Sequence, residues 1–308
     1  MRSAFINWLC SQAATDPAIV LLTADLGYSV VEPFAEAFPD RFLNIGVAEQ
    51  NMVGIAAGLA SEGYKPYTYS IGIFPTFRCA EQLRNDIDYH ELPVVTSTVG
   101  SGLAYGALGY THHMIQDLAL MRSLPNTIIG TPMDPHEVIS ILDWHLKNPC
   151  PLYLRMHKAG DPLVHENIPE VFPGKWISFA ALKGSKNQSN KIGIVVAGSL
   201  GSKVKKALAG LDQPIDFFSL PLWGQSTRET QEKWLSQYNH VITVEDHLLD
   251  GGFGSWMMEN VAMLGISTRI YPVALDYSSV GKVAKEEALI RPLLSKLNSV
   301  VQHLYSVM

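Results

Sequence analysis

Residues 42–63 read FLNIGVAEQNMVGIAAGLASEG. A short apolar strand, FLNIGV (42–47), runs into Glu49, which opens a helix lasting to about residue 63. Met52, Val53, Ile55, Ala56, Ala57, Leu59 and Ala60 leave that helix almost no polar face, so burial nearly all round is expected, with part of it at a subunit interface.

The same strand-then-helix unit recurs to either side. AIVLLTAD (18–25), YKPYTYSIG (64–72), LPVVTSTVG (92–100), NTIIGTP (126–132) and PLYLRM (151–156) read as strands. Helical spacing follows at PTFRCAEQLRNDIDYH (75–90) and at 134–147, the latter opened by Asp134-Pro135 as N-cap and first helical residue. Strands alternating with helices imply a parallel sheet covered on both faces. KAGDPLVHENIPEVFPGKW (158–176) is rich in Pro, Gly and charge, and GSKNQSNK (184–191) is polar without periodicity. This stretch reads as an interdomain connection with room for a short edge strand. The pattern restarts with strands at 192–198, 214–220, 240–246 and 268–275, separated by helices at 201–210, 227–237 and 252–264. The expected fold is α/β: a parallel-sheet domain over 1–165, a linker over 166–190, and a smaller α/β domain over 191–308.

Composition narrows the chemistry. Of 308 residues, 47% are hydrophobic and 17% charged, enough for a sizeable core and too apolar for disorder. The net charge is −6 and no basic block occurs, which argues against nucleic acid as a partner. Every apolar run falls short of the roughly 18 residues that a membrane span needs. The start, MRSAFINWLC, lacks the pattern of a secretory signal. Three scattered cysteines, Cys10, Cys79 and Cys150, fit a reducing cytoplasm rather than a disulfide framework or zinc ribbon.

Several motif classes are missing. There is no Gly-x-Gly-x-x-Gly, no P-loop, no Gly-x-Ser-x-Gly and no His-Glu-x-x-His. Gly198-Ser-Leu-Gly201 and Gly251-Gly252-Phe-Gly254 each precede a helix that could hold an anion, although tight strand-to-helix turns use glycine for steric reasons alone. Neighbouring His112 and His113 point in different directions and have no carboxylate or thiol set beside them, so a substrate-facing loop histidine is the better reading than a metal ligand. Glu49 admits two readings: a glutamate that compensates the helix dipole, or a sheltered acid placed to share a proton.

The string Gly46-Val-Ala-Glu49-Gln resembles the signature around the glutamate of transketolase-like thiamine diphosphate enzymes. Ala24-Asp25-Leu26 with Ser29 resembles that family's first strand and loop, and Phe74-Pro-Thr-Phe77-Arg78 its aromatic segment. Gly109-Tyr-Thr-His112 and Arg122-Ser-Leu-Pro-Asn126 are similar to its histidine loop. Thr243-Val-Glu-Asp-His247 and Gly251-Gly252-Phe-Gly254-Ser255 are similar to its C-terminal domain. The resemblance spans residues from about 20 to 275. It implies a pyrimidine-binding domain followed by a C-terminal domain, the small subunit of a split transketolase. The family's Gly-Asp-Gly, followed later by Asn, holds diphosphate and Mg²⁺, and no Gly-Asp-Gly occurs here. Those groups would then sit on an N-terminal transketolase subunit, in a heterotetramer.

The resemblance also implies roles. Glu49 would hydrogen-bond N1′ of the cofactor's pyrimidine, with Phe74 stacking on the ring, Phe77 as the alternative, and Asp25 in the adjoining loop. Ser29 and Arg155 would hold the phosphate of a sugar phosphate, and His112 would line the channel to the reacting carbons. The family's histidine and aspartate ahead of the Thr-His motif have no counterpart in GSGLAYGALGYT (100–111). The implied activity is transfer of a two-carbon ketol unit from a ketose to an aldose. The alternatives are a 2-oxo acid dehydrogenase β subunit, a 1-deoxyxylulose-phosphate synthase relative, or a non-catalytic assembly module.

Overall fold

The computed structural model describes residues 1–181, 191–211 and 214–307. The described strands are β1 (Ile19–Thr23), β2 (Phe42–Asn44), β3 (Lys65–Ile71), β4 (Val95–Val99), β5 (Ile128–Gly130), β6 (Leu152–Met156), β7 (Ile177–Ala181), β8 (Ile192–Ala197), β9 (Ile215–Ser219), β10 (Leu222–Trp223), β11 (His240–Leu248) and β12 (Arg269–Leu275). Among the described residues, seven form one sheet in the order β10-β5-β6-β4-β3-β1-β2, and five a second in the order β12-β11-β8-β9-β7. Both are parallel apart from one antiparallel strand at an edge, β10 beside β5 and β7 beside β9. The mixed α/β class expected from the alternation is the class observed.

Two strands complicate the expected linker. Residues 177–181 form β7 and belong to the second sheet, while 182–190 lie outside the described residues. Leu222-Trp223 comes from the second half of the chain yet closes the edge of the first sheet. The helical stretch expected over 75–90 is broken: Ile73–Arg78 ends at Cys79, and the chain then widens into a π-turn over Leu83–Asp88. Helices Arg2–Ala13 and Glu286–Val307 begin and end the described chain.

Apolar side chains pack on both faces of the first sheet. Phe5, Trp8, Tyr67, Tyr69, Val138 and Ile141 fill one side, and Met52, Val53, Ala56, Leu83 and Ile87 the other. Strand alternation adds a polar patch to this second face, where Thr68, Thr96 and Tyr153 stand in register, as do Ser70, Thr98 and Arg155.

Helix Glu49–Ser61 departs from the expectation of burial all round. Met52, Val53, Ala56, Ala57 and Ala60 are buried, but Gln50, Asn51, Gly58 and Ser61 are exposed along one stripe. Glycine accounts for the difference: positions 54 and 58 count as apolar in the sequence yet carry no side chain, and nothing lies within 4 Å of where their Cβ atoms would be.

Candidate active site

In an open parallel sheet, groups that act on ligands gather beyond the carboxyl ends of the strands. The loop after β1 carries Asp25 and Ser29, both left-handed, with φ of 53° and 60°. Such backbone is costly for residues other than glycine and must be fixed by its surroundings. Asn44, at the end of β2, accepts from the Asp25 and Gly46 amides at 3.0 Å and donates to the Asp25 carboxylate at 3.2 Å. The Ser29 amide donates to Glu32 at 2.7 Å.

Glu49 follows β2 and is 1% exposed. Its carboxylate pairs with Arg78, from the short helix after β3. The Arg78 guanidinium also stands over the Phe74 ring, 5.4 Å from its centroid. The edge of Phe74 meets His112, 5.4 Å between centroids, and His112 in turn faces Tyr105 at 6.5 Å. Burial and the neighbouring His113 lower the pKa of His112. His113 is buried with its Nε2 3.5 Å from the Gly106 carbonyl, so the two histidines do face apart.

The geometry therefore brings Glu49, Phe74 and His112 into one run of contacts, with Asp25 and Ser29 on the neighbouring loop of the same edge. The two aromatic candidates differ. Phe74 has a face covered by Arg78, whereas Phe77 is 50% exposed and presents a bare ring. A ring that must receive another ring needs a free face, so the geometry favours the alternative, Phe77.

Arg155 does not fit the phosphate role. It is 1% exposed, and its Nε donates to Asp117 at 2.8 Å and its Nη1 to Asp246 at 2.5 Å. Nη2 reaches the Met114 carbonyl at 2.6 Å, leaving no nitrogen free for a ligand. β6 alternation turns this side chain inward, toward the second sheet.

A residue that the sequence reading passes over stands at the same edge. Arg2 opens helix Arg2–Ala13, beside the phenols of Tyr69 and Tyr105. Its Nε is buried without a hydrogen-bond partner, and among the described residues no carboxylate pairs with it. Tyr69 packs on Gly27 of the Ser29 loop, where an added Cβ would stand 3.2 Å from the ring, and Tyr105 adjoins His112. A half-buried cation held by two phenols, with no described carboxylate beside it, is placed to meet an anion.

The glycine turn at 251–254 resolves structurally. Glu245, buried, accepts the Phe253 and Gly254 amides at 2.6 and 2.7 Å, so the helix N-terminus is occupied by the protein's own carboxyl group. Burial pushes the Glu245 pKa up to about 8. Arg122 donates to the Gly252 carbonyl at 3.1 Å and to Ser255 at 2.8 Å. The motifs at 122–126 and 243–255 thus join the two sheets instead of lining the site.

Among the described residues no group of three or more His, Cys, Asp or Glu side chains is placed to hold a metal ion. No described helix is long and apolar enough to cross a membrane. Clefts of about 470 and 440 Å³ lie elsewhere, lined by residues such as Arg84 and Asn126 or Trp144 and Asn148. Glu49, Phe77 and His112 line neither. A carboxylate with a bare aromatic ring on the next element fits the flat, weakly polar end of a heteroaromatic cofactor.

Residues 1–160 match the family described as transketolase, pyrimidine binding domain. The chain is 33% identical over 235 residues to one subunit of the apulose-4-phosphate transketolase of Actinobacillus succinogenes, covering 76% of this chain and 74% of that protein. It is 32% identical over 279 residues to 1-deoxy-D-xylulose-5-phosphate synthase of Cupriavidus necator, covering 88% of this chain but 42% of that enzyme. A solved structure of a split gene transketolase, described as an inactive beta4 tetramer, superposes with a TM-score of 0.81 at 28% identity, over 98% of this chain and 96% of that one.

Proposed function

This chain belongs to the transketolase family of pyrimidine-binding subunits, and from that premise we propose that it is one half of a split, thiamine diphosphate-dependent transketolase. In this reading it grips the pyrimidine end of the cofactor, and a partner subunit holds the diphosphate and Mg²⁺. The reaction moves a two-carbon ketol unit between sugar phosphates. The observation that carries the reading is the run of contacts itself: Glu49, 1% exposed, pairs with Arg78, whose guanidinium covers Phe74, and Phe74 meets His112, with exposed Phe77 on the same short helix.

When bound, the cofactor supplies a carbon nucleophile that can cleave a bond next to a carbonyl. The chain's own residues do the rest. Glu49 would hold the pyrimidine nitrogen, as a carboxyl sheltered from bulk water so that a proton could be shared between the two. Phe77 offers its free face to the ring. Arg78 supplies the counter-charge that keeps the Glu49 carboxylate buried in the lone chain. His112, its pKa lowered, is a neutral hydrogen-bonding group for sugar hydroxyls at neutral pH. Arg2 and Ser29 take the anionic end of the sugar, in place of Arg155.

The test is reconstitution. The chain alone should be inactive and bind thiamine diphosphate no better than millimolar, because stacking and one hydrogen bond give only about 1–3 kcal/mol. With its partner, turnover appears; Glu49→Gln then loses about a hundredfold or more in kcat while still assembling. Equal turnover of the variant ends the catalytic claim and leaves an assembly module.

A further inference from the structure

We propose that Tyr153 is a positioning residue, through which the charged seam between the two sheets fixes the helix that carries Phe77 and Arg78. This deepens the reading above and rests on it. Helix Ile73–Arg78 is six residues long, too short to hold its shape by internal hydrogen bonds. Its pose is set by what grips it from outside. Thr76, at its centre, is buried; its hydroxyl lies 2.5 Å from the Gly72 carbonyl and 3.0 Å from the Tyr153 phenol.

The phenol is tied at its other side. Tyr153 is fully buried and its O–H donates to Asp117 at 2.9 Å. With that proton given to the carboxylate, the phenol oxygen can only accept, from Thr76, whose single proton is shared with the Gly72 carbonyl in a three-centre bond, and beside it from Thr98. The direction of the chain is thereby fixed. Asp117 also accepts from Arg155 Nε at 2.8 Å, and Arg155 Nη1 donates to Asp246 of β11 at 2.5 Å. His247, next along β11, accepts the Leu118 amide on Nε2 at 3.2 Å while its Nδ1 donates to the Leu248 carbonyl at 2.6 Å. It is therefore neutral, and among the described residues Arg155 alone answers the negative charge on Asp117. One buried line runs Asp246–Arg155–Asp117–Tyr153–Thr76, from the second sheet to the residue beside Phe77. Elsewhere on this face the hydroxyls of Thr68 and Ser70 are buried without partners, so the polar order is concentrated in that line.

The experiment measures the apparent dissociation constant for thiamine diphosphate, at saturating Mg²⁺, in enzyme reconstituted from both subunits. Phe77→Ala is measured first. Tyr153→Phe should weaken cofactor affinity roughly tenfold, the loss expected for one removed hydrogen bond of this kind, with kcat at saturating cofactor changed by no more than about twofold. Thr76→Val, which leaves the phenol–Asp117 bond in place, should lose at least as much and serves if Tyr153→Phe folds poorly. The double variant Tyr153→Phe/Phe77→Ala should bind no worse than Phe77→Ala, because both act through one ring. Thr268→Val, a buried hydroxyl bonded to the Leu235 carbonyl and remote from this line, should leave affinity unchanged. If Phe77→Ala weakens binding while Tyr153→Phe and Thr76→Val do not, or their losses add to it, the positioning role is overturned. If Phe77→Ala itself has no effect, the site reading fails and takes this role with it.

Discussion

Arg155, fully buried, and Arg2, half-buried, both stand near the same edge of the first sheet, yet one faces two carboxylates and the other none among the described residues. Removing Arg155 would strand Asp117 and Asp246 in the interior, and breaking such a pair costs about 3–5 kcal/mol. Removing Arg2 strands no described carboxylate. Arg155→Met should therefore lose stability of that order in urea unfolding. Arg2→Gln should unfold like wild type but raise KM for a sugar phosphate about tenfold, leaving KM for the unphosphorylated sugar unchanged. Unaltered KM for both sugars in Arg2→Gln would remove it from the site. The contrast shows what the sequence could convey at this scale. Glu49 is conspicuous because a carboxylate opening an apolar helix is out of place. Arg2 is not, because an arginine in the first turn of a mixed helix is ordinary until tertiary packing sets it beside Tyr69 and Tyr105. Arg155 misleads in the opposite direction, since the end of a strand is where site residues stand and only the pairing of β6 shows which way it points.

Helix Glu49–Ser61 turns one face to the core and leaves the stripe through Asn51, Gly54, Gly58 and Ser61 open. Large side chains are exposed around the site, among them Val47 at 74% and Phe77 at 50%. A subunit surface with this make-up is ground for a partner. Gly58→Leu discriminates, because no atom lies within 4 Å of the missing Cβ and the backbone there is ordinary helix. The lone chain should melt no lower than wild type, and even slightly higher, as replacing helical glycine gains up to about 1 kcal/mol. Association with the partner, followed by sedimentation, should be lost. Assembly at wild-type strength would place the interface elsewhere. Elements of this size are mostly legible: the alternation of apolar runs and helical spacing locates β1 to β6 and most strands of the second sheet. β10 is not, because two residues after Pro221 carry no period, and its place depends on an edge of β5 that the sequence does not show.

At the scale of the molecule, the first sheet is tied to the C-terminal helix by His157, at the end of β6. His157 Nδ1 lies 2.6 Å from Asp161 and Nε2 3.1 Å from Glu286, which opens helix Glu286–Val307. The other charged groups facing the cluster are Lys158 and Lys203, both on Glu286, and the Met1 amine on Asp161. Burial alone would lower the histidine's pKa, but hydrogen bonds and charge from Asp161 and Glu286 outweigh it and raise the value above the ordinary 6.5. Asp161 and Glu286 are both lowered against the effect of burial, with His157 a principal cause in each case. A raised histidine contributes stability that is complete below its unfolded value and fades as pH climbs through the folded one; lowered carboxylates contribute above their unfolded values and fade in acid. The clamp is thus strongest from about pH 5 to about 6.5 and weakens on the alkaline side. Urea unfolding of the wild type should lose about 1.5–3 kcal/mol between about pH 6.5 and 9, the value of a hydrogen bond to a charged group. His157→Gln should be less stable at about pH 6 and show little of that decline, since its amide nitrogen can donate to one of these carboxylates and does not titrate. A variant that keeps the full wild-type slope would assign the pH dependence to another group, His165 between Asp134 and Glu137 being the next in line, its pKa raised by those two carboxylates against the effect of burial.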